Sequence, residues 1–277
     1  MADGAPGTAD VDGPVAAGRP VVTWLHGYTM DSRIWSPVWE LLPGFTHLGV
    51  DLPGHGSAPP LPTAAPIDDW ARHVETAMRA HGSRLLVALC LGTMVATQVL
   101  LRGRIPLDGT VLVAPALVGM PEDLLTANRF GSLAVKAWRG ATRAELATLW
   151  MRSPSGMFDG MARFPDRWAA LQRVIADHTW PGLAQGGAMA FRGRPQTADQ
   201  VGAAVASSGP LLLVSGGRDM PPQRETAMAL ADRVAGAQLV DLPDLGHLPI
   251  LEDPSAVAPA VDEFLSRCGR GALSPIG

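Results

Sequence analysis

Short apolar runs, separated by longer stretches in which apolar residues fall three and four apart, recur along this chain. Residues 20–26 (PVVTWLH) are apolar and stop at Gly27, the pattern of a buried strand closed by a turn. Residues 46–51 (THLGVD), 85–89 (LLVAL), 110–114 (TVLVA), 211–215 (LLLVS) and 237–242 (AQLVDL) read the same way. Between them lie helical patterns. Asp31 is placed to cap a helix that carries Ile34, Trp35, Val38 and Trp39 on one face. Residues 67–81 put Trp70, Val74, Ala77 and Met78 on another face, and residues 91–101 (LGTMVATQVLL) take up helical spacing directly after Cys90. A last helix is predicted over residues 255–267. Short apolar strands alternating with helices predict an α/β fold, with a mostly parallel central sheet covered by helices on both faces.

The alternation breaks over residues 118–208, which show helical patches, no strand pattern, and many Trp, Phe and Met residues, among them Trp138, Trp150, Trp168 and Trp180. This stretch reads as a helical cap inserted between two strands, its aromatics divided between a small core of their own and the wall of a pocket. The predicted organisation is a loose Gly/Ala/Pro-rich tail over residues 1–19, a core formed by 20–117 and 209–277, and the cap at 118–208.

Composition narrows the function. With 277 residues, 47% of them apolar and 17% charged, the chain can bury a sizeable core and is not a mostly disordered protein. A net charge of −4, without a dense Lys/Arg run, argues against a partner held by phosphate contacts, so no nucleic acid is expected. Two cysteines, Cys90 and Cys268, do not make a disulfide framework in a chain of this length. The start of the sequence lacks a signal-peptide pattern, and no run reaches the ~18 apolar residues of a membrane span. The expectation is a cytoplasmic protein.

The candidate chemistry sits at strand ends. Strand, then Ala88-Leu89-Cys90-Leu91-Gly92, then helix, is the pattern of a nucleophile elbow, in which small residues two before and two after the nucleophile permit a sharp turn. A Cys at the end of a buried strand is common packing when it stands alone. Two further strand ends change that. Asp219 follows LLLVS in Gly216-Gly217-Arg218-Asp219, and His247 follows the last strand in Asp244-Leu245-Gly246-His247. The order nucleophile, acid, histidine supplies a base for the thiol proton and an acid to orient the base. Asp244 and Asp241 are rival acids. An oxyanion hole needs two backbone N–H donors; Leu91 offers one at the helix start and Tyr28, in the loop after the first strand, the other. His26 and His55 read as loop fasteners, and His47, His73, His81 and His178 receive no role. No metal-ligand spacing and no phosphate-binding Gly-rich loop is present, so no cofactor and no metal are expected.

The blocks LHGYTMDSRIW, DLPGHGSA, ALCLGTMVA, LLLVSGGRD and DLGHLPILEDP resemble the serial motifs of the α/β-hydrolase superfamily, in particular its cap-bearing small hydrolases, over residues 20–267. The resemblance implies the α/β-hydrolase fold and a triad of Cys90, Asp219 and His247 with the Tyr28 and Leu91 hole. The first two blocks are also similar to a lyase-type member of menaquinone synthesis that eliminates pyruvate. The sequence departs from the family pattern in three places. Cys90 stands where Ser is usual, as in dienelactone hydrolases and polyhydroxyalkanoate synthases. Thr93 stands where a second Gly is common. The region before residue 20 is short for the family's first strands.

A Cys nucleophile forms a thioester with the acyl group, and exchange with a donor thioester is nearly even in energy. This suits an activated ester, lactone or acyl thioester of a medium-sized apolar metabolite, free or linked to a carrier protein or coenzyme A, with hydrolysis, cyclising release or acyl transfer as outcome in specialised metabolism. The alternative is elimination of a carboxylate such as acetate or pyruvate, with His247 as base. A third reading is a ligand-binding protein with a relic site. The first two need an intact site and turnover; the third does not.

Overall fold

The computed structural model describes residues 18–62, 65–119, 136, 140–152, 156–178, 185–189 and 194–271. The tail over residues 1–17 and the cap aromatics Phe130, Trp138, Trp180 and Phe191 lie outside the described residues. Six strands form one sheet: β1 (Val21–Leu25), β2 (Thr46–Val50), β3 (Leu85–Leu89), β4 (Gly109–Val113), β5 (Leu211–Gly216) and β6 (Gln238–Leu242). Their order is β2-β1-β3-β4-β5-β6, and every pairing among them is parallel. β3, β4 and β5 are buried along their whole length, which is why they read as unbroken apolar runs; the edge strand β6 is largely exposed.

Among the described residues, the helices of eight residues or more are α1 (Ile67–Ala80), α2 (Leu91–Arg102), α3 (Arg143–Met151), α4 (Pro165–Ala176), α5 (Ala198–Val205), α6 (Pro221–Arg233) and α7 (Pro254–Gly271). α1 buries Ile67, Trp70, Ala71, Val74, Ala77 and Met78, a stripe at helical spacing. α2 is buried on nearly every side and ends at Gly103 with φ 57°, a left-handed cap that glycine adopts without strain. α1, α2, α5 and α6 pack side by side in one layer, and α7 lies on β3, β4 and β5 in another. The helix foreseen after Asp31 is two short turns, Ser32–Trp35 and Ser36–Trp39, with the Asp31 side chain accepting from the Arg33 N–H.

The insertion between β4 and β5 leaves and re-enters the core at one junction. The Gln196 N–H donates to Val118 O at 3.0 Å, and the Val118 N–H donates to Gln196 Oε1 at 3.1 Å. α3, α4 and the turn Asp159–Arg163 lie within it, whereas α5, beyond Gln196, packs against α2 and α6. Strand order reverses between β1 and β3, since β2 lies to one side of β1 and β3 to β6 to the other. In parallel sheets the crevice at such a switch point, outside the carboxyl ends of the strands, is where ligands bind.

Candidate active site

Cys90 follows β3 at that switch point. Its backbone is at φ 49°, ψ −113°, a conformation that costs a non-glycine residue ~1–3 kcal/mol. The Cys90 N–H donates to Val113 O (3.1 Å), and the Cys90 carbonyl accepts from the Thr93 N–H (2.8 Å). Gly92 is required here, because a Cβ would lie 2.7 Å from His26 O and 2.9 Å from Leu25 Cβ. Thr93, the departure in the elbow helix, has a defined task. Its hydroxyl donates to Cys90 O at 2.5 Å and accepts from the Ala116 N–H at 2.8 Å, tying the elbow to the loop after β4.

Asp219 lies three residues past the end of β5, and His247 lies on the loop after β6; both side chains are buried. His247 Nδ1 and Asp219 Oδ1 are 2.8 Å apart, so the imidazole donates to the carboxylate from Nδ1. The same Oδ1 accepts from the Met220 N–H at 2.6 Å. His247 Nε2 is buried and bonded to no nitrogen or oxygen. Burial alone would lower the proton affinity of this imidazole, but the charge of Asp219 and the neighbouring Cys90 sulfur outweigh it and raise its pKa well above the ordinary histidine value. The rival Asp244 pairs instead with Arg218 at 2.8 Å on the surface, and Asp241 stays in the β6 ladder opposite Ser215.

The loop after β1 passes over the elbow, close enough that a Cβ on Gly27 would lie 3.5 Å from Cys90 Cβ. Tyr28 comes next in that loop. The Leu91 N–H belongs to the first turn of α2, where helical N–H groups have no intrahelical partner. The loop is held from below by His26, whose Nε2 accepts from the Leu52 N–H and whose Nδ1 lies 2.8 Å from Gly27 O. From above it is held by the insertion. Trp150 Nε1 donates to Thr29 Oγ1 at 3.0 Å, and His178 Nε2 lies 2.9 Å from Met30 O. Thr29 sits at φ 62°, a second strained position beside the site. His55, foreseen as a loop fastener, reaches Pro53 O at 3.1 Å.

The structure thus brings Cys90, Asp219 and His247 to the carboxyl ends of β3, β5 and β6, on one side of the sheet, with Tyr28 and Leu91 beside Cys90. The supporting contacts of Thr93, Trp150 and His178 went unread in the sequence. Among the described residues, no group of three or more His, Cys, Asp or Glu is placed to hold a metal ion. No helix among them is long and apolar enough to cross a membrane.

An all-parallel sheet with a nucleophile elbow at its switch point and an Asp–His pair on later strand ends defines an enzyme of the α/β-hydrolase fold. The sequence profile of the Alpha/beta hydrolase family matches residues 24–260, and the chain belongs to that family. The 2-succinyl-6-hydroxy-2,4-cyclohexadiene-1-carboxylate synthase of Yersinia enterocolitica is 33% identical over 114 residues, 40% of this chain and 41% of that protein. The alignment spans about two fifths of that relative's length. Among solved structures, MenH from S. aureus superposes with a TM-score of 0.75 at 17% identity, over 95% of this chain and 98% of that one. A thermophilic esterase from Thermogutta terrifontis does so with a TM-score of 0.75 at 24% identity, over 91% and 90%. These two likenesses establish the fold.

Proposed function

We propose that Cys90 is the nucleophile of a Cys-His-Asp enzyme acting on an activated ester, lactone or acyl thioester of a medium-sized apolar metabolite. His247 takes the Cys90 thiol proton as Sγ adds to the carbonyl carbon, and the oxyanion is received by the Tyr28 and Leu91 N–H groups. His247 gives its proton to the departing oxygen or sulfur as the acyl-Cys90 thioester forms. It then takes a proton from water or another acceptor, which displaces Cys90. Asp219 holds the imidazole in the orientation and tautomer that both steps need. The insertion caps the site. Tyr28 meets Trp150 edge-on at 6.0 Å, and Trp150 meets Phe158 at 6.1 Å, an aromatic roof suited to an apolar acyl group.

The observation that supports this reading is geometric: Cys90 stands at φ 49° between β3 and α2, and His247, held by Asp219 at 2.8 Å, lies beside it. Elimination of a carboxylate, with His247 as base, is the second reading. It is favoured by one observation, the local identity to 2-succinyl-6-hydroxy-2,4-cyclohexadiene-1-carboxylate synthases.

Cys90→Ala and Cys90→Ser decide between them on a panel of aryl esters, enol esters, lactones and acyl-CoA thioesters. Nucleophilic catalysis requires Cys90→Ala to collapse toward the residual level of hole and base, Cys90→Ser to keep partial ester activity, and the wild type to gain an acyl mass. Turnover of Cys90→Ala within about tenfold of wild type, only ~1.4 kcal/mol of barrier, with no acyl adduct, would establish elimination instead.

A further inference from the structure

Glu252 is a buried carboxylate that the proposed chemistry does not use. It ends the turn Pro249–Glu252, and its side chain is 1% exposed. Oε2 accepts from the Gly246 N–H at 2.9 Å, and Oε1 accepts from the Leu248 N–H at 3.3 Å. The peptide N–H groups immediately before and after His247 therefore converge on one carboxylate. Its counter-charge comes from the insertion. Arg163 Nη2 donates to Glu252 Oε2 at 3.2 Å and to Asp244 O at 3.2 Å, so one guanidinium spans the His247 loop. Arg167 adds bonds to Leu251 O (2.8 Å) and Glu252 O (2.7 Å). A Cβ on Gly160 would lie 2.1 Å from Glu252 Oε2, so only glycine lets the Asp159–Arg163 turn seat on the carboxylate.

We infer that Glu252 is the positioning residue of His247, and that Arg163 makes seating of the insertion a condition of that positioning. A carboxylate buried this deeply holds its place only with its partners present. Arg163 also holds Asp244 O, so removing it frees both the Glu252 side chain and the His247 loop that its guanidinium clamps, and the two N–H bonds that fix the loop weaken. The imidazole then loses its aim at Cys90 while the sheet beneath is untouched. The inference rests on the proposed pairing of His247 with Cys90.

The test is the rate at which iodoacetamide alkylates Cys90, followed by peptide mass as a function of pH, with melting temperature measured in parallel. It needs no substrate. Arg163→Met and Glu252→Gln should each slow alkylation about tenfold, within the ~10²-fold that a 1 Å misplacement costs a reacting group. Arg163→Lys should restore much of the rate. Arg233→Met, which removes an exposed pair with Asp199, is the control and should react as wild type. If Glu252→Gln does not fold, Arg163→Met and its Lys rescue decide alone. Wild-type rates in Arg163→Met, or a fall that merely tracks melting temperature, overturn the inference while leaving the His247–Cys90 pairing intact. Wild-type alkylation in His247→Ala overturns the pairing itself.

Discussion

At the scale of single residues, the state of His247 is decided by a contest between burial, which disfavours the imidazolium, and Asp219 with Cys90, which favour it and win. Asp219→Asn keeps a hydrogen-bond acceptor 2.8 Å from Nδ1 but deletes the charge. Turnover should fall by up to ~10⁴-fold with the fold kept, the loss found when a triad acid is replaced by its amide. Asp244→Asn, at an exposed surface pair worth little, should stay within about twofold of wild type. The reverse order in turnover measurements would move the acid to Asp244. The places of Cys90, Asp219 and His247 past the carboxyl ends of β3, β5 and β6 were legible in the sequence, because each follows a strand pattern within a few residues. Thr93, Trp150 and Glu252 were not. Their tasks arise from contacts with Ala116, Thr29 and Arg163, and the Trp150–Thr29 bond joins positions 121 residues apart.

At the scale of elements, β3, β4 and β5 were legible because strands covered on both faces need no polar positions, and the largely exposed β6 because its short run keeps Leu239, Val240 and Leu242. α6 escaped because it begins Pro-Pro and buries only Gln223, Ala227 and Leu230, a stripe too narrow to stand out. The placement of α5 beside α2 and α6 was also hidden, since nothing local marks where an insertion ends. The loop after β1 shows what the insertion does for the site. Thr29, at φ 62°, is held by Trp150 from α3, so a helix–loop hydrogen bond secures the strained position. Trp150→Phe keeps an aromatic ring in place, though a smaller one, and removes the donor. Losing one buried hydrogen bond costs ~1 kcal/mol, so turnover should drop roughly fivefold if that bond sets the Tyr28 donor. The decisive measurement is the split between kcat and KM. A change confined to KM would mean that Trp150 only lines the pocket.

Across the whole molecule, histidines play opposite parts in acid stability. His26, His47 and His55 are held below the ordinary histidine pKa by burial, His47 at about 4. His47 is stacked on Trp39 at 10° and lies 5.5 Å from the Trp24 ring, with Nε2 3.0 Å from Leu42 O. Groups kept neutral by folding take up their protons on unfolding, so the unfolded state binds more protons as pH falls below 6.5, and stability falls with it. For His47 that loss runs from the ordinary value of 6.5 down to about 4. His247 has the contrary sign. Its raised value contributes stability that is fully present below 6.5 and is lost only as pH rises through the folded value, so it cannot offset the loss on the acid side. The melting temperature should therefore fall steadily as pH is lowered from 6.5 to about 4. His47→Gln, whose Nε2 can still reach Leu42 O but cannot take up a proton, should lower the melting temperature at neutral pH through lost stacking and make its decline with acid shallower. Calorimetric melting of both proteins across that interval checks this. Parallel curves would mean that His47 is already protonated in the folded protein, and that acid lability arises at His26 and His55 beneath the loops of the site.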